Sequence, residues 1–189
     1  MSHSKFVIRN LLKEYRGKYS ELAWKELSKD VQKNAINLIE KLNPSIVGIY
    51  LESIKSREIA TDLIIASLLE SKRTILIPRI TMEEGIMEMT YLNSNSKLSL
   101  NSWGISENLD AEATTETPEV IIVPMLGGDI HGYRIGYGKG FYDRYLSGKK
   151  LIKVGLCPST CVIHEIPMDN FDVKMNYIIT EAEILRTNA

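Results

Sequence analysis

Two short apolar runs, residues 46–51 and 120–123, constrain this chain more than any other feature. Each is too short for a buried helix and too apolar to keep one face in water, so each reads as a strand covered on both sides. Between and around them the pattern changes to helical spacing. Over residues 5–15 and 21–41 apolar side chains recur every three or four positions, as at Ile8, Leu11 and Leu12, and at Ala35, Leu38, Ile39 and Leu42. The second helix should stop at Asn43-Pro44, because proline cannot continue a helix and restricts the residue before it.

Ser56 can cap a third helix with Glu58 in its first turn, running to about Ser71. Residues 74–77 and 87–92 read as strands, 93–118 as a polar connection, and 152–156 and 177–180 as later strands. A further helix should begin near Gly140. Strands alternating with helices predict an α/β fold over residues 1–189: one three-layer domain with a largely parallel central sheet flanked by helices. At 189 residues the chain can bury one substantial core, and no repeat or linker divides it.

The charge balance of 23 basic and 24 acidic residues leaves a formal net charge of -1, which disfavours nucleic acid or an anionic membrane as partner. No stretch approaches the roughly 18 apolar residues of a membrane span, so a cytoplasmic protein, expected as a monomer, is the simplest reading. Cys157, Cys161 and His164 offer three metal ligands in a C-x3-C-x2-H cluster, but no fourth Cys or His lies near and the segment reads as core. His131 reads as a loop residue.

Chemistry concentrates in residues 124–146, PMLGGDIHGYRIGYGKGFYDRYL, directly after the apolar run 120–123. Strand, glycine loop and helix together present backbone N–H groups and the positive helix end to an anion. Gly136, Gly138 and Gly140 alternate, which matches neither the GxxxxGK[ST] of a P-loop nor the GxGxxG of a dinucleotide fold. Arg134, Lys139 and Arg144 surround them with positive charge suited to phosphate oxygens. Asp143, in the first turn of the following helix, can hold a magnesium ion that bridges phosphates. A surface loop whose aspartate merely caps a helix is the competing reading; the adjoining cations and aromatics favour a magnesium nucleotide.

The order Pro124, Leu126, Gly127, Asp129, Gly132, Arg134-Ile135-Gly136, Gly138-Lys139-Gly140, Phe141-Tyr142 and Asp143 resembles the signature of the 5-formyltetrahydrofolate cyclo-ligase family. Lys5 and Arg9, four residues apart on one helical face, match the family's opening pair. Leu51, Glu58-Ile59-Ala60-Thr61, Ile77-Pro78 and Trp103-Gly104-Ile105 near Glu107 also correspond.

The resemblance implies ATP and Mg2+ as cofactors and a small-molecule folate substrate. It assigns Lys5, Arg9, Arg134, Ile135, Gly136, Tyr137, Gly138, Lys139, Gly140, Phe141 and Tyr142 to ATP, with Arg134, Lys139 and Tyr142 closest to the reaction. Leu51, Glu58, Trp103, Tyr137, Gly138, Lys139, Gly140 and Phe141 would contact the folate, Glu58 through the pterin donors. Asp143 and Asp172 would share the metal.

The chain departs from the family pattern at Met125, Gly128, Asn108 and Phe171, where small, aromatic, proline and histidine residues are usual, and it has an extra residue between Leu51 and Glu58. None removes an expected phosphate or metal ligand, but several border the folate side. They keep two alternatives open: a non-catalytic nucleotide- or folate-binding paralogue, and an ATP-dependent ligase for another formyl or carboxyl substrate.

Overall fold

A computed structural model describes residues 4–81, 86–100, 106–108 and 111–189. Helix α1, Lys5–Gly17, buries Ile8, Leu12 and Arg16, one residue per turn along a single face. Helix α2, Glu21–Leu42, starts at Ser20, whose hydroxyl accepts the Ala23 N–H at 3.2 Å. It ends at Asn43 in the left-handed conformation (φ 48°), immediately before Pro44.

Strand β1, Ile46–Gly48, is shorter than the apolar run that announces it; the Ile49 N–H still donates to Leu76 O at 2.8 Å, and Tyr50 and Leu51 enter a loop. The third helix differs from expectation. Residues Ile54–Ser56 form a single 3-10 turn, Arg57 takes a positive φ of 47°, and α3, Asp62–Glu70, begins four residues after Glu58. Glu58 is therefore a loop residue and does not serve the helix dipole.

The remaining strands are β2, Thr74–Ile80; β3, Met87–Leu92; β4, Ser99–Leu100; β5, Ser106–Glu107; and β6, Ala113–Thr114. Then come β7, Val120–Pro124; β8, Gly127–Asp129; β9, Arg134–Ile135; and the six-residue helix α4, Phe141–Leu146. The chain closes with β10, Ile152–Leu156; β11, Val162–Ile163; β12, Tyr177–Ile179; and β13, Ile184–Arg186.

The main sheet has the order β13-β12-β10-β7-β1-β2-β3-β6. Its centre, from β12 to β2, is parallel, and its outer strands pair antiparallel. Alternate residues serve opposite faces. Val120 and Ile122 pack against α2 and α3, while Ile121 and Val123 pack against α1 and α4, giving three layers. From β1 the chain works outward to β6 on one side; from β7 it works outward to β13 on the other. The gap between β1 and β7 is thus a topological switch point, where α/β sheets open a crevice at the carboxyl ends of their strands. Among the described helices, none is long and apolar enough to cross a membrane.

Beyond β7 a small sheet of order β11-β8-β9 folds back over α1. Asp129 anchors it: fully buried, its carboxylate accepts the N–H groups of His131, Tyr133 and Ile166, each at 2.9 Å. Two of the departures find their physical reason nearby. A Cβ on Gly128 would stand 2.6 Å from Ile178 Cδ1, so a larger residue there would need Ile178 to shift, and the bulk of Met125 fits because Gly155 presents no side chain to its sulfur. Asn108 takes the proline position usefully, donating to Tyr91 O at 3.1 Å and Ser96 Oγ at 3.3 Å.

At Gly127 an added Cβ would meet the Cys161 carbonyl oxygen at 2.3 Å, a backbone atom that cannot swing aside. Gly127→Ala is expected to destabilise the protein by about 1–3 kcal/mol in urea titration. Gly17→Ala, where nothing lies within 4 Å, should leave stability equal or slightly raised.

Candidate active site

A cavity of about 920 Å³ opens beside the switch point, walled by the loop after β1, the end of β7, the glycine segment and α1. It is large enough for a drug-sized ligand or two smaller ones. Its wall includes Lys5, Arg9, Leu51, Glu58 and Asp172, together with the whole segment Arg134, Ile135, Gly136, Tyr137, Gly138, Lys139, Gly140, Phe141, Tyr142 and Asp143. Every sequence-predicted site residue that the structure describes therefore lies on one cavity; Trp103 lies outside the described residues.

The glycine segment departs from extended geometry at Gly138 (φ 92°) and Gly140 (φ 68°), conformations that a Cβ would oppose. Gly140 stands at the start of α4, and Arg144 folds back over it to donate to Lys139 O at 2.7 Å. Arg9 reaches the same segment from α1, its Nε donating to Gly136 O at 2.9 Å.

Three cation–carboxylate pairs cross the cavity wall, two of them sharing Lys5. Lys5 Nζ lies 2.6 Å from Asp169 and 2.5 Å from Asp172. Burial would lower the Lys5 pKa, but hydrogen bonds and charge from the two aspartates outweigh it and leave Lys5 above the ordinary lysine value. Arg134 donates to Asp143 Oδ1 at 2.8 Å and to Val173 O at 2.8 Å, and the Val173 N–H donates to that same Asp143 oxygen. Asp143 and the residue after Asp172 thus share a hydrogen bond, which brings the two expected metal ligands to adjacent strands of chain. The side chains of Asp143 and Asp172 remain 27% and 20% exposed.

Glu58 turns inward. Its Oε2 accepts the Ser53 N–H at 2.7 Å, and the nearby Tyr137 hydroxyl donates to Ser56 O at 3.5 Å. Burial dominates and lifts its pKa above the ordinary value of 4.5, against the opposing pull of Ser53, Tyr137 and Arg16. Burial likewise raises Tyr137 and Tyr142 far above the usual tyrosine value. Both hydroxyls stay protonated near neutrality and serve as donors, not as phenolate bases.

Cys157 and Cys161 are buried in the core around α1, and burial raises both thiols. His164 is exposed. Among the described residues no three His, Cys, Asp or Glu side chains form a metal-holding group.

Sequence reasoning missed Tyr50, Ser53, Ser56 and Asp169 on the cavity wall, and left Glu107 undecided. Glu107 lines the cavity at 2% exposure and accepts the Ile80 N–H at 3.0 Å. Only Asp169 left a legible trace, as a second carboxylate three residues before Asp172. Phe171 is 85% exposed on the same loop.

A three-layer α/β domain with a cation- and glycine-lined crevice at its switch point is the class of protein that these features define. The profile of the 5-formyltetrahydrofolate cyclo-ligase family matches residues 1–181, and the chain belongs to that family. It is 28% identical to the probable 5-formyltetrahydrofolate cyclo-ligase of Schizosaccharomyces pombe, over 98% of this chain and 99% of that one. With the 5-formyltetrahydrofolate cyclo-ligase of Haemophilus influenzae it shares 26% identity, over 89% and 92% of the two chains. The NMR structure of Aquifex aeolicus 5,10-methenyltetrahydrofolate synthetase superposes with a TM-score of 0.84 at 27% identity, covering 98% of this chain and 93% of that one.

The raised pKa of Glu58 has a consequence for stability. The folded protein holds this proton to higher pH than the unfolded chain, so the contribution is most favourable below the ordinary carboxylate value and is lost as pH rises through the raised value. Relative to wild type, Glu58→Gln should therefore melt higher at pH 8 than at pH 4. An equal difference at both pH values would contradict this assignment.

Proposed function

We propose that this chain closes 5-formyltetrahydrofolate to 5,10-methenyltetrahydrofolate, driven by cleavage of ATP to ADP and phosphate. The observation that carries the reading is one cavity holding the glycine segment, the pairs Lys5–Asp172 and Arg134–Asp143, and the buried carboxylate of Glu58. Phosphate chemistry and pterin recognition need those two kinds of group side by side.

A formamide carbon is a poor electrophile and its oxygen a poor leaving group. In the proposed reaction the formyl oxygen attacks the γ-phosphorus as the bond to ADP breaks. The N10 lone pair then adds to the activated carbon, N10 loses its proton, and the carbon–oxygen bond breaks to release phosphate. Such a transfer depends on positioning and charge neutralisation more than on a protein nucleophile.

Lys5, Arg9, Arg134 and Lys139 are the cations for the phosphates, and the N–H groups of Gly136, Gly138 and Gly140 supply neutral donors. Tyr137, Gly138, Phe141 and Tyr142 line the junction of formyl group and γ-phosphate, where the protonated Tyr142 hydroxyl can donate to a developing negative oxygen. Leu51 flanks the folate, and Glu58 accepts the pterin N–H groups.

The residues present fit magnesium. Asp143 and Asp172 are partly exposed hard oxygen donors, and magnesium is ordinarily held by one or two carboxylates plus water and phosphate. When bound there, it would neutralise phosphate charge.

The test is purified protein with 5-formyltetrahydrofolate and Mg-ATP, following methenyltetrahydrofolate by absorbance and ADP in parallel. Product and ADP should appear in equal amounts, and Lys139→Ala and Asp143→Ala should each lower kcat/KM by about a hundredfold or more. A wild type that binds Mg-ATP but forms no methenyl product would overturn the folate assignment in favour of another formyl or carboxyl substrate.

A further inference from the structure

The mechanism leaves unused a buried arginine, Arg16, which is 1% exposed, and its neighbour Arg57. Arg16 Nη1 donates to Arg57 O at 2.8 Å, while Arg57 Nη1 donates back to Arg16 O at 3.2 Å and Arg57 Nη2 to Tyr19 O at 3.0 Å. Both guanidinium groups also lie over the Trp24 ring, 5.6 and 5.5 Å from its centroid. Arg57 is held at φ 47°, a left-handed conformation disfavoured for a residue with a Cβ, and it immediately precedes Glu58. Unfavourable backbone geometry persists only where surrounding bonds over-determine it, and it gathers at functional sites.

The second Arg16 nitrogen, Nη2, donates to Met125 O at 2.5 Å and Leu126 O at 2.9 Å, the first carbonyls after β7. One side chain thus ties the turn before Glu58 to the root of the glycine segment. The buried Arg16 charge also acts on both Glu58 and Tyr137, favouring their ionised forms against the larger opposing effect of burial. A buried charge is a costly way to fill space, and packing alone would be served as well by an apolar side chain.

We propose that Arg16 and Arg57 are positioning residues for the folate substrate: their reciprocal clasp holds the left-handed turn that aims the Glu58 carboxylate into the cavity. The proposal rests on the reading of Glu58 as the pterin acceptor.

Arg57→Gly tests it with least strain on the fold: glycine accepts the left-handed conformation but equally allows others, so without the guanidinium bonds to Arg16 O and Tyr19 O the turn is no longer held. Arg57→Gly should raise the KM for 5-formyltetrahydrofolate about tenfold or more, with the KM for ATP changed less than about twofold. In a Glu58→Gln background, Arg57→Gly should add no further loss, because the group it aims is already gone. A folate KM left unchanged by Arg57→Gly, an equal rise for both substrates, or a loss that adds independently to Glu58→Gln would reduce the clasp to a structural feature and overturn the proposal. If Glu58→Gln alone leaves the folate KM unchanged, the reading of Glu58 falls, and the proposal with it.

Discussion

The parallel pairing of β1 with β7 is the constraint on which the cleft depends. Val47 lies opposite Val120 and Gly48 opposite Ile121, so the two strands end side by side and their following loops must diverge around one crevice. Gly48 makes the pairing possible at close range, since a Cβ there would meet Ile121 Cγ1 at 3.0 Å and the Pro118 ring at 3.1 Å. One loop carries Leu51 and Glu58; the other leads into the glycine segment. The strands contribute few functional side chains of their own and chiefly hold two loops at a fixed separation.

Much of that frame was legible in the sequence because burial imposes a period. The apolar spacing marks α1 and α2 to within two residues, and the strands β3 and β10 match the apolar stretches that announce them. Where tertiary contacts override local cues, the reading fails. Ser56 and Glu58 have the chemistry of a helix start, yet the Arg16 guanidinium captures Arg57 O and the chain turns left-handed, delaying α3 to Asp62. The strands β8 and β9 left no hydrophobic pattern, since Gly127 and Gly128 were chosen by lack of space and not by propensity.

The site was legible unevenly. Residue types and spacing alone pointed to the glycine segment, Arg134, Lys139 and Asp143. Lys5, Arg9, Glu58 and Asp172 came from the resemblance to a family, because a lysine on a helix or an aspartate in a loop has no local signature that separates it from solvent-facing charge. The same blindness hid Arg16, which sits at the helical spacing of Ile8 and Leu12 but satisfies carbonyls in place of packing against carbon. Asp129 shows the converse: a signature residue whose carboxylate is wholly occupied by three backbone N–H groups, and so shapes the loop without reaching the cavity chemistry.

The pairing of Lys5 with Asp172 spans 167 positions of the chain. During synthesis the first helix leaves the ribosome long before its partner loop exists, so the ion pair cannot form until nearly the whole sequence has been made. The wall contributed by α1 and residues 169–173 thus joins segments that lie far apart in the sequence. An intact cleft is therefore a sign that both ends of the chain have met, and a truncated or half-folded chain lacks it even when the signature segment is present in full.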